Sequence, residues 1–80
     1  MSVRVRYFAV AKAALGRAGD EFDDVRDLGA LEARLVAFAP SAAAVLERCT
    51  YLVGGVSTTD RATPLDPDSA VDVLPPFAGG

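Results

Sequence analysis

Apolar residues and arginines alternate over positions 3–7 at the start of the chain. Because successive side chains of a strand point to opposite faces, this period of two predicts a strand with one buried face. Phe8 follows on the arginine side, where it is either a contact residue for a partner or the residue that closes the end of the core. The residues expected to point inward are Val3, Val5 and Tyr7.

Positions 9–16 are rich in alanine and end at a glycine, which predicts a turn or helical bend that carries Lys12. A second strand is expected at 20–25, although acidic residues weaken its pattern. We expect this strand to form a hairpin with the first.

The pattern then changes to the period of a helix. Asp27 can cap a helix that begins at position 28, where apolar residues recur every three or four positions and form one stripe that packs on the sheet. Pro40 ends this helix, and Ser41 can cap a shorter helical segment at 42–48. The expected buried residues are Leu28, Leu31, Leu35 and Phe38 in the first helix and Val45 and Leu46 in the second.

Two short strands, 51–53 and 56–59, are separated by Gly54 and Gly55, which predicts a hairpin with a two-residue turn. A phosphate-binding loop needs a longer glycine pattern, so this pair is interpreted as structural. The turn formers at 63–68 contain one apolar anchor, and they precede the last strand. That anchor is Leu65, and the strand is expected at 70–74.

This order of elements predicts an α+β fold of the ubiquitin-like β-grasp type, with a mixed sheet of about five strands and a helix packed on one face. The 80 residues, about half of them hydrophobic, are enough for one small core and leave no room for a second domain. Residues 1–80 are therefore expected to form a single domain. If the last strand pairs with the first, the C-terminal residues lie close to Phe8.

The charge balance disfavours nucleic acid as a partner. The formal net charge is −3, and the eight basic residues are spread along the chain and include one lysine. A protein that follows a phosphate backbone needs clustered basic residues, so a basic protein is the better expectation. The N-terminal residues resemble neither a signal peptide nor a membrane span, which indicates a cytoplasmic protein.

Catalysis by this chain alone is not expected. Cys49 is the single cysteine and there is no histidine, so neither a zinc site nor a histidine-based catalytic triad can be assembled. We interpret Cys49 as a structural residue, with a reactive thiolate as the alternative.

The C-terminal segment 74–80 carries the strongest candidate chemistry. Gly79 and Gly80 have no Cβ and can enter a narrow cleft of a partner, while Pro75 and Pro76 favour an extended backbone. We therefore expect the segment to project from the domain and to present the Gly80 carboxylate as the reactive group.

Several motifs together resemble a known family. They are the opening Val-Arg-Val-Arg-Tyr-Phe-Ala with Lys12 beyond it, the Gly54-Gly55 hairpin, the Thr63-Pro64-Leu65 loop and the ending Asp-Val-Leu-Pro-Pro-Phe-Ala-Gly-Gly. Over nearly its whole length the chain resembles the small subunit of molybdopterin synthase, a ubiquitin-like sulfur carrier. The Pro-Pro-x-x-Gly-Gly ending is the most specific of these matches.

The resemblance implies that an ATP-using, ubiquitin-activating-like enzyme adenylates Gly80 and that a sulfur donor, acting through a sulfurtransferase, converts it to a thiocarboxylate. The sulfur then goes to cyclic pyranopterin monophosphate inside the large synthase subunit, in a heterotetramer. The chain itself is expected to bind no cofactor or metal. The residues implied to thread into the partner are Pro75, Pro76, Phe77, Ala78 and Gly79.

The resemblance also implies a patch that docks on both partners, made by Phe8, Leu74 and Phe77. The ungapped register places Thr58 where the family often carries a further apolar residue, so the chain departs from the pattern there. Lys12 stands at a commonly basic position, and a solvated surface charge is the alternative interpretation.

Three other functions stay open at this stage. One is a related sulfur carrier for thiamine, cysteine or another pathway. A second is a protein modifier whose Gly80 forms an isopeptide with lysine. The third is a β-grasp interaction domain in which the Gly-Gly ending has no role.

Overall fold

The computed structural model of the chain describes residues 2–76. Five strands form one mixed sheet in the order β2-β1-β5-β3-β4, in which β1 and β5 are parallel and the other neighbours are antiparallel. This is the ubiquitin-like β-grasp that the sequence predicts. The elements are β1 Val3–Tyr7, α1 Ala9–Leu15, β2 Gly19–Phe22, α2 Leu28–Phe38, a 3-10 turn Pro40–Ala42, α3 Ala43–Arg48, β3 Thr50–Val53, β4 Val56–Thr58 and β5 Ala70–Leu74.

The core lies between the helices and one face of the sheet. In β1 the burial alternates as predicted, with the arginines on the other, open face. β5 repeats the alternation, because a strand in the middle of the sheet still has one face against the helices and one against solvent. The strand residues with the least exposure are Val3, Val5, Tyr7, Tyr51, Val71 and Val73.

β2 is shorter than predicted and begins one residue earlier. It pairs antiparallel with β1, as expected, and the helix α1 connects the two strands where the sequence predicts a turn or helical bend. The strand ends at Phe22 because the chain turns at Asp24, whose φ is 60°, in the left-handed region. Val25 lies beyond the strand and is buried in the core.

Asp27 caps α2 as predicted, since its Oδ1 accepts a hydrogen bond from the Ala30 N–H at 2.8 Å. Leu28, Leu31 and Leu35 are fully buried. The prediction for Phe38 is wrong, because its side chain is 44% exposed. The helical period gives a direction around the helix axis, but it does not say where along the axis the core ends.

The short helix differs from its prediction at its start. Ser41 lies inside the 3-10 turn and caps nothing, because α3 begins only at Ala43 and has no side-chain cap. Pro40 at the first position of the turn explains the difference, since it stops α2 and starts a tighter turn immediately. In α3 Leu46 is buried, whereas Val45 is only half-buried.

The predicted hairpin between β3 and β4 is confirmed. Gly54 and Gly55 have φ values of 57° and 87°, as a type I′ turn requires at both central positions. This turn matches the twist of the flanking strands, so the glycines have a structural role here.

The Arg61 side chain joins the loop after β4 to α2 and α3. Its guanidinium donates to both carboxylate oxygens of Glu32 on α2, at 2.9 and 3.3 Å, and to the Leu46 carbonyl near the end of α3 at 2.9 Å. It also lies 4.8 Å from the centre of the Tyr51 ring. Leu65, further along the loop, is buried as predicted, and its N–H donates to the Arg26 carbonyl.

Replacing Arg61 with alanine should lower the free energy of unfolding by about 2 kcal/mol, because charge-assisted bonds at a half-buried site are lost. The midpoint of urea unfolding measures this change. Arg26→Ala is the matched control, since Arg26 is exposed, and it should cost less than about 0.5 kcal/mol. Equal losses of stability in the two variants would contradict a stabilising role for the Arg61 contacts.

Candidate functional site

The parallel pairing of β1 and β5 creates the candidate site. The register places Tyr7 opposite Val73, and the Phe8 N–H donates to the Val73 carbonyl at 3.2 Å. Phe8 therefore lies beside Leu74 at the end of the sheet from which the C-terminal segment continues. This confirms the expected pairing of the last strand with the first.

Phe8 stands at the edge of the open face and is 37% exposed. The residue after it, Ala9, has φ 51°, a left-handed conformation that costs an L-residue about 1–2 kcal/mol. This turn sends the chain directly from β1 into α1 and leaves the Phe8 ring at the end of the strand. The contact-residue interpretation of Phe8 therefore fits its exposure better than a place in the core.

Arg6 holds one side of the Phe8 ring. Its guanidinium lies 5.5 Å from the ring centre and forms a two-pronged ion pair with Asp72 on β5, at 2.9 and 3.0 Å. The hydrogen bonds that Arg6 donates to Asp72, together with the negative charge of Asp72, raise the pKa of Arg6. The Arg6 guanidinium therefore lies close to both the Asp72 carboxylate and the Phe8 ring on the open face, where β1 and β5 meet.

Leu52 extends this apolar area and was missed in the sequence analysis. It pairs with Asp72 across the β3–β5 boundary and is half-buried on the open face, near the partly exposed Leu74. Because the structure buries Tyr51, the alternation of a strand places the next residue on the other face. We call Phe8, Leu52 and Leu74 the apolar patch.

Thr58 does not belong to the apolar patch. It pairs with Tyr51, which is fully buried, so its side chain is on the helix side of the sheet. There its hydroxyl lies 3.1 Å from the Thr63 hydroxyl and accepts from the Asp60 N–H. The ungapped register to the C-terminus placed Thr58 at a patch position because such a register does not take into account the face on which a strand residue lies.

Lys12 is exposed on α1, one turn beyond Phe8, and its N–H donates to the Phe8 carbonyl at 3.4 Å. The structure thus brings Lys12 to the same end of the molecule as the apolar patch. Whether it contacts a partner stays a prediction.

The C-terminal segment begins at this end. Leu74 is half-buried, Pro75 is buried and Pro76 is exposed, so the core anchors the segment at its base. The predicted reactive and threading residues 77–80 lie outside the described residues.

Four acidic residues lie in loops at the end of the sheet opposite the apolar patch. Asp23 and Asp24 follow β2, and Asp66 and Asp68 precede β5. Because β2 runs antiparallel to β1 while β5 runs parallel to it, both groups are at the end where β1 starts. These four carboxylates are therefore remote from the apolar patch, and the expectation of a basic partner stays a prediction.

Cys49 is buried, and its thiol donates to the Val45 carbonyl at 3.2 Å. Burial raises the pKa of the thiol, which keeps it protonated and supports the structural interpretation. No group of metal-binding side chains occurs within residues 2–76. In the same part of the chain, none of the helices has the length and apolar character needed to cross a bilayer.

Solved structures with the same fold include proteins of two descriptions. A Pyrococcus furiosus protein described as molybdopterin converting factor subunit 1 is 18% identical, with 96% of this chain and 99% of that chain covered and a TM-score of 0.82. Small archaeal modifier protein 1 from Methanosarcina acetivorans is 19% identical, with 99% and 96% covered and a TM-score of 0.82.

A third similar structure is the complex of subunits 1 and 2 of the molybdopterin-converting factor from Helicobacter pylori. Its matching chain is 24% identical, with 100% of both chains covered and a TM-score of 0.71. At these identities the likeness establishes the fold. No protein-family model matches the chain, and no curated protein is significantly similar to it in sequence.

The exposure of Phe8 predicts that it contributes little to stability. Phe8→Ala should lower the free energy of unfolding by less than about 1 kcal/mol, because the change removes an exposed ring and its contact with Arg6. Val73→Ala, on the buried side of the neighbouring strand, should cost about 2–3 kcal/mol. Urea unfolding compares the two variants. A loss of stability in Phe8→Ala as large as that in Val73→Ala would indicate that Phe8 is a core residue.

Proposed function

We propose that this protein is the sulfur-carrier subunit of a molybdopterin synthase. The observation that carries the proposal is the parallel β1–β5 pairing, which sets an exposed apolar patch at the base of a C-terminal segment ending in Gly-Gly. A carrier needs both features together, because the partner must grip the domain while the terminus enters its active site. The fold shared with the Pyrococcus furiosus and Helicobacter pylori subunits supports this function.

The chemistry takes place on the Gly80 carboxylate, which is ionised at neutral pH because an α-carboxyl has a pKa of about 3.5. One of its oxygens attacks the α-phosphorus of ATP, and pyrophosphate leaves. A sulfur nucleophile from the donor then attacks the carbonyl carbon of the acyl adenylate, and AMP leaves. With a persulfide donor this attack gives an acyl disulfide; a thiol then attacks the donor's own sulfur, forms a disulfide with it and leaves the thiocarboxylate on Gly80. The thiocarboxylate transfers its sulfur to cyclic pyranopterin monophosphate in the large subunit and returns to the carboxylate.

The chain supplies position rather than catalysis in this scheme. Phe8, Leu52 and Leu74 dock on the activating enzyme and on the large subunit in turn, and one patch cannot serve both at once. Gly79 and Gly80 pass the constriction that leads to each active site, since a side chain there would obstruct entry. The small subunit is therefore the non-catalytic, sulfur-donating member of the complex.

A ubiquitin-like protein modifier is the second candidate. Small archaeal modifier protein 1 from Methanosarcina acetivorans shares the fold over 99% of this chain, and this shared fold is the observation that favours a modifier. Both uses begin with adenylation of the terminal glycine. They differ in the nucleophile that then attacks the activated carbonyl group, which is the sulfur of a donor in one case and a lysine amine in the other. A carrier for another sulfur pathway differs only in the molecule that finally receives the sulfur.

The intact mass of the protein, purified from cells that also express its activating enzyme and sulfur donor, tests the proposal. Exchange of one oxygen for sulfur should add about 16 Da to the C-terminal residue. Incubation with the large subunit and cyclic pyranopterin monophosphate should remove this mass and form molybdopterin.

A chain with one alanine added after Gly80 is the control. It should gain no mass, because its terminal carboxylate belongs to an alanine and no longer to a glycine. Sulfur loading without molybdopterin formation would assign the protein to another sulfur pathway. A wild-type chain that takes up no sulfur but becomes linked to lysines of other proteins would establish the modifier instead.

The apolar patch should be needed for binding to the large subunit. Phe8→Asp should weaken binding at least about tenfold, because the partner would have to bury a charge on an apolar contact. Phe38→Asp is the matched control, since Phe38 is 44% exposed at the end of α2, on the helix side of the sheet and not on the open face that carries the patch, and it should alter the dissociation constant less than about twofold. Isothermal titration calorimetry measures both, and equal losses would place the interface elsewhere.

A further inference from the structure

An ion pair on the open face of the sheet is bordered by all three residues of the apolar patch. The register of β1 and β5 places Arg6 opposite Asp72, and the register of β3 and β5 places Leu52 on the other side of the same aspartate. Leu74 follows two positions later on the same face of β5, and the Arg6 guanidinium lies 5.5 Å from the centre of the Phe8 ring. A partner that covers the apolar patch must therefore cover the ion pair as well.

The two members of the pair differ in exposure. The side chain of Asp72 is 19% exposed, whereas that of Arg6 is 69% exposed. The guanidinium uses Nε and Nη2 to bind the two carboxylate oxygens, at 2.9 and 3.0 Å. Its Nη1 group carries further N–H donors and makes no hydrogen bond with another residue among 2–76. An approaching partner thus meets a cation with unused donors.

Contact with apolar side chains alone does not favour the covering of this cation. Taking an ion pair out of water is unfavourable unless its remaining polar groups form hydrogen bonds in the complex. Leucine and phenylalanine side chains supply no acceptor for Nη1. The surface of a partner that covers the apolar patch therefore has to contain an acceptor opposite Arg6.

The charges nearby favour a carboxylate as this acceptor. Arg4 precedes Arg6 by two positions on the same face of β1 and forms no ion pair with another residue in the described part of the chain. The Glu21 carboxylate, opposite Arg4 on β2, accepts a hydrogen bond from the Ser2 hydroxyl instead. A negatively charged acceptor is attracted by both arginines and forms a charge-assisted hydrogen bond with Nη1.

We propose that Arg6 is a specificity-determining residue, and that the activating enzyme places a carboxylate on its Nη1 group when it docks on the apolar patch. The inference rests on the proposed function only in requiring an activating enzyme, which sulfur carriers and protein modifiers share. Phe8, Leu52 and Leu74 fit many apolar surfaces. A surface without the carboxylate would leave Nη1 unbonded, so Arg6 selects against it.

The Asp72→Asn variant tests the proposal by the direction of its effect. Exchange of pyrophosphate into ATP, followed as a function of carrier concentration, gives the KM of the activating enzyme for the chain. KM should fall about threefold, because the negative charge that repels the partner's carboxylate is removed while Arg6 remains. Without that carboxylate the complex would cover an arginine that has lost its counter-charge, and KM would rise. An unchanged or raised KM overturns the proposal.

A double variant, Arg6→Met with Asp72→Asn, removes both charges. The partner's carboxylate then faces a neutral surface, so KM should rise at least about tenfold. The kcat should stay within about twofold of the wild type, because the change affects docking and not the adenylation of Gly80. If the enzyme has no carboxylate there, the double variant should bind as well as the wild type or better, since replacing a covered ion pair is often neutral or favourable. That result would contradict the proposal.

Arg34 provides the matched control. Its guanidinium lies 5.3 Å from the centre of the Phe22 ring, the same kind of contact that Arg6 makes with Phe8, but it is on α2, on the helix side of the sheet. Arg34→Met should change KM less than about twofold. A change as large as that of the double variant would mean that the overall charge, and not Arg6, controls docking. Urea unfolding checks that every variant is folded.

The acceptor on the enzyme is identified in the same assay. Amide variants are made of the exposed aspartates and glutamates of the activating enzyme. One of them should raise KM for the wild-type chain about tenfold and leave KM for the double variant unchanged, because the two changes remove the same contact. If no amide variant does so, the acceptor is not a carboxylate and the inference is wrong.

The outcomes separate this inference from the proposed function. A chain that is adenylated with these changes in KM but forms no molybdopterin keeps the inference and rejects the molybdopterin carrier. A chain that supports molybdopterin formation while Asp72→Asn raises KM does the reverse. A wild-type chain that the activating enzyme does not adenylate contradicts both.

Discussion

The parallel contact between β1 and β5 determines most of what this molecule can do. Bringing these strands together closes nearly the whole chain into one loop, since the paired Arg6 and Asp72 are 66 positions apart. The entropy lost in closing that loop must be recovered from burial. Val5, Val71 and Val73 provide it, because all three lie in the core at the centre of the sheet.

The same contact explains the position of the candidate site. A strand that runs parallel to the first must end where the first ends, so the chain leaves the domain beside Phe8. An antiparallel last strand would have placed its end near Val3, at the pole that carries the acidic loops. The direction of one strand therefore decides whether a docking surface and a reactive terminus can work together.

The two faces of the sheet have different contacts. On the helix side, Arg61 joins the loop between β4 and β5 to Glu32 and to the end of α3. On the open side, Arg6 and Asp72 form an ion pair whose arginine side chain is 69% exposed. Such a pair adds little stability, although it lies beside the Phe8 ring.

The sequence by itself determined the elements, since their periods reflect local backbone geometry. The alternation at β1, the Asp27 cap, the glycine turn and the bounds of β5 were all predicted correctly, and together they indicate the β-grasp order. Each of these signals depends on residues a few positions apart. For the same reason the ends of β2 and α3 were less accurate, because short-range signals compete there.

Only the tertiary structure decided which side chains meet. It placed Leu52 rather than Thr58 on the face of Phe8 and Leu74, because the face depends on a strand register set between distant segments. It left Phe38 exposed, since a helical stripe does not report where the core beneath it ends. It also brought Arg61 to Glu32, a contact between residues 29 positions apart that no local pattern encodes.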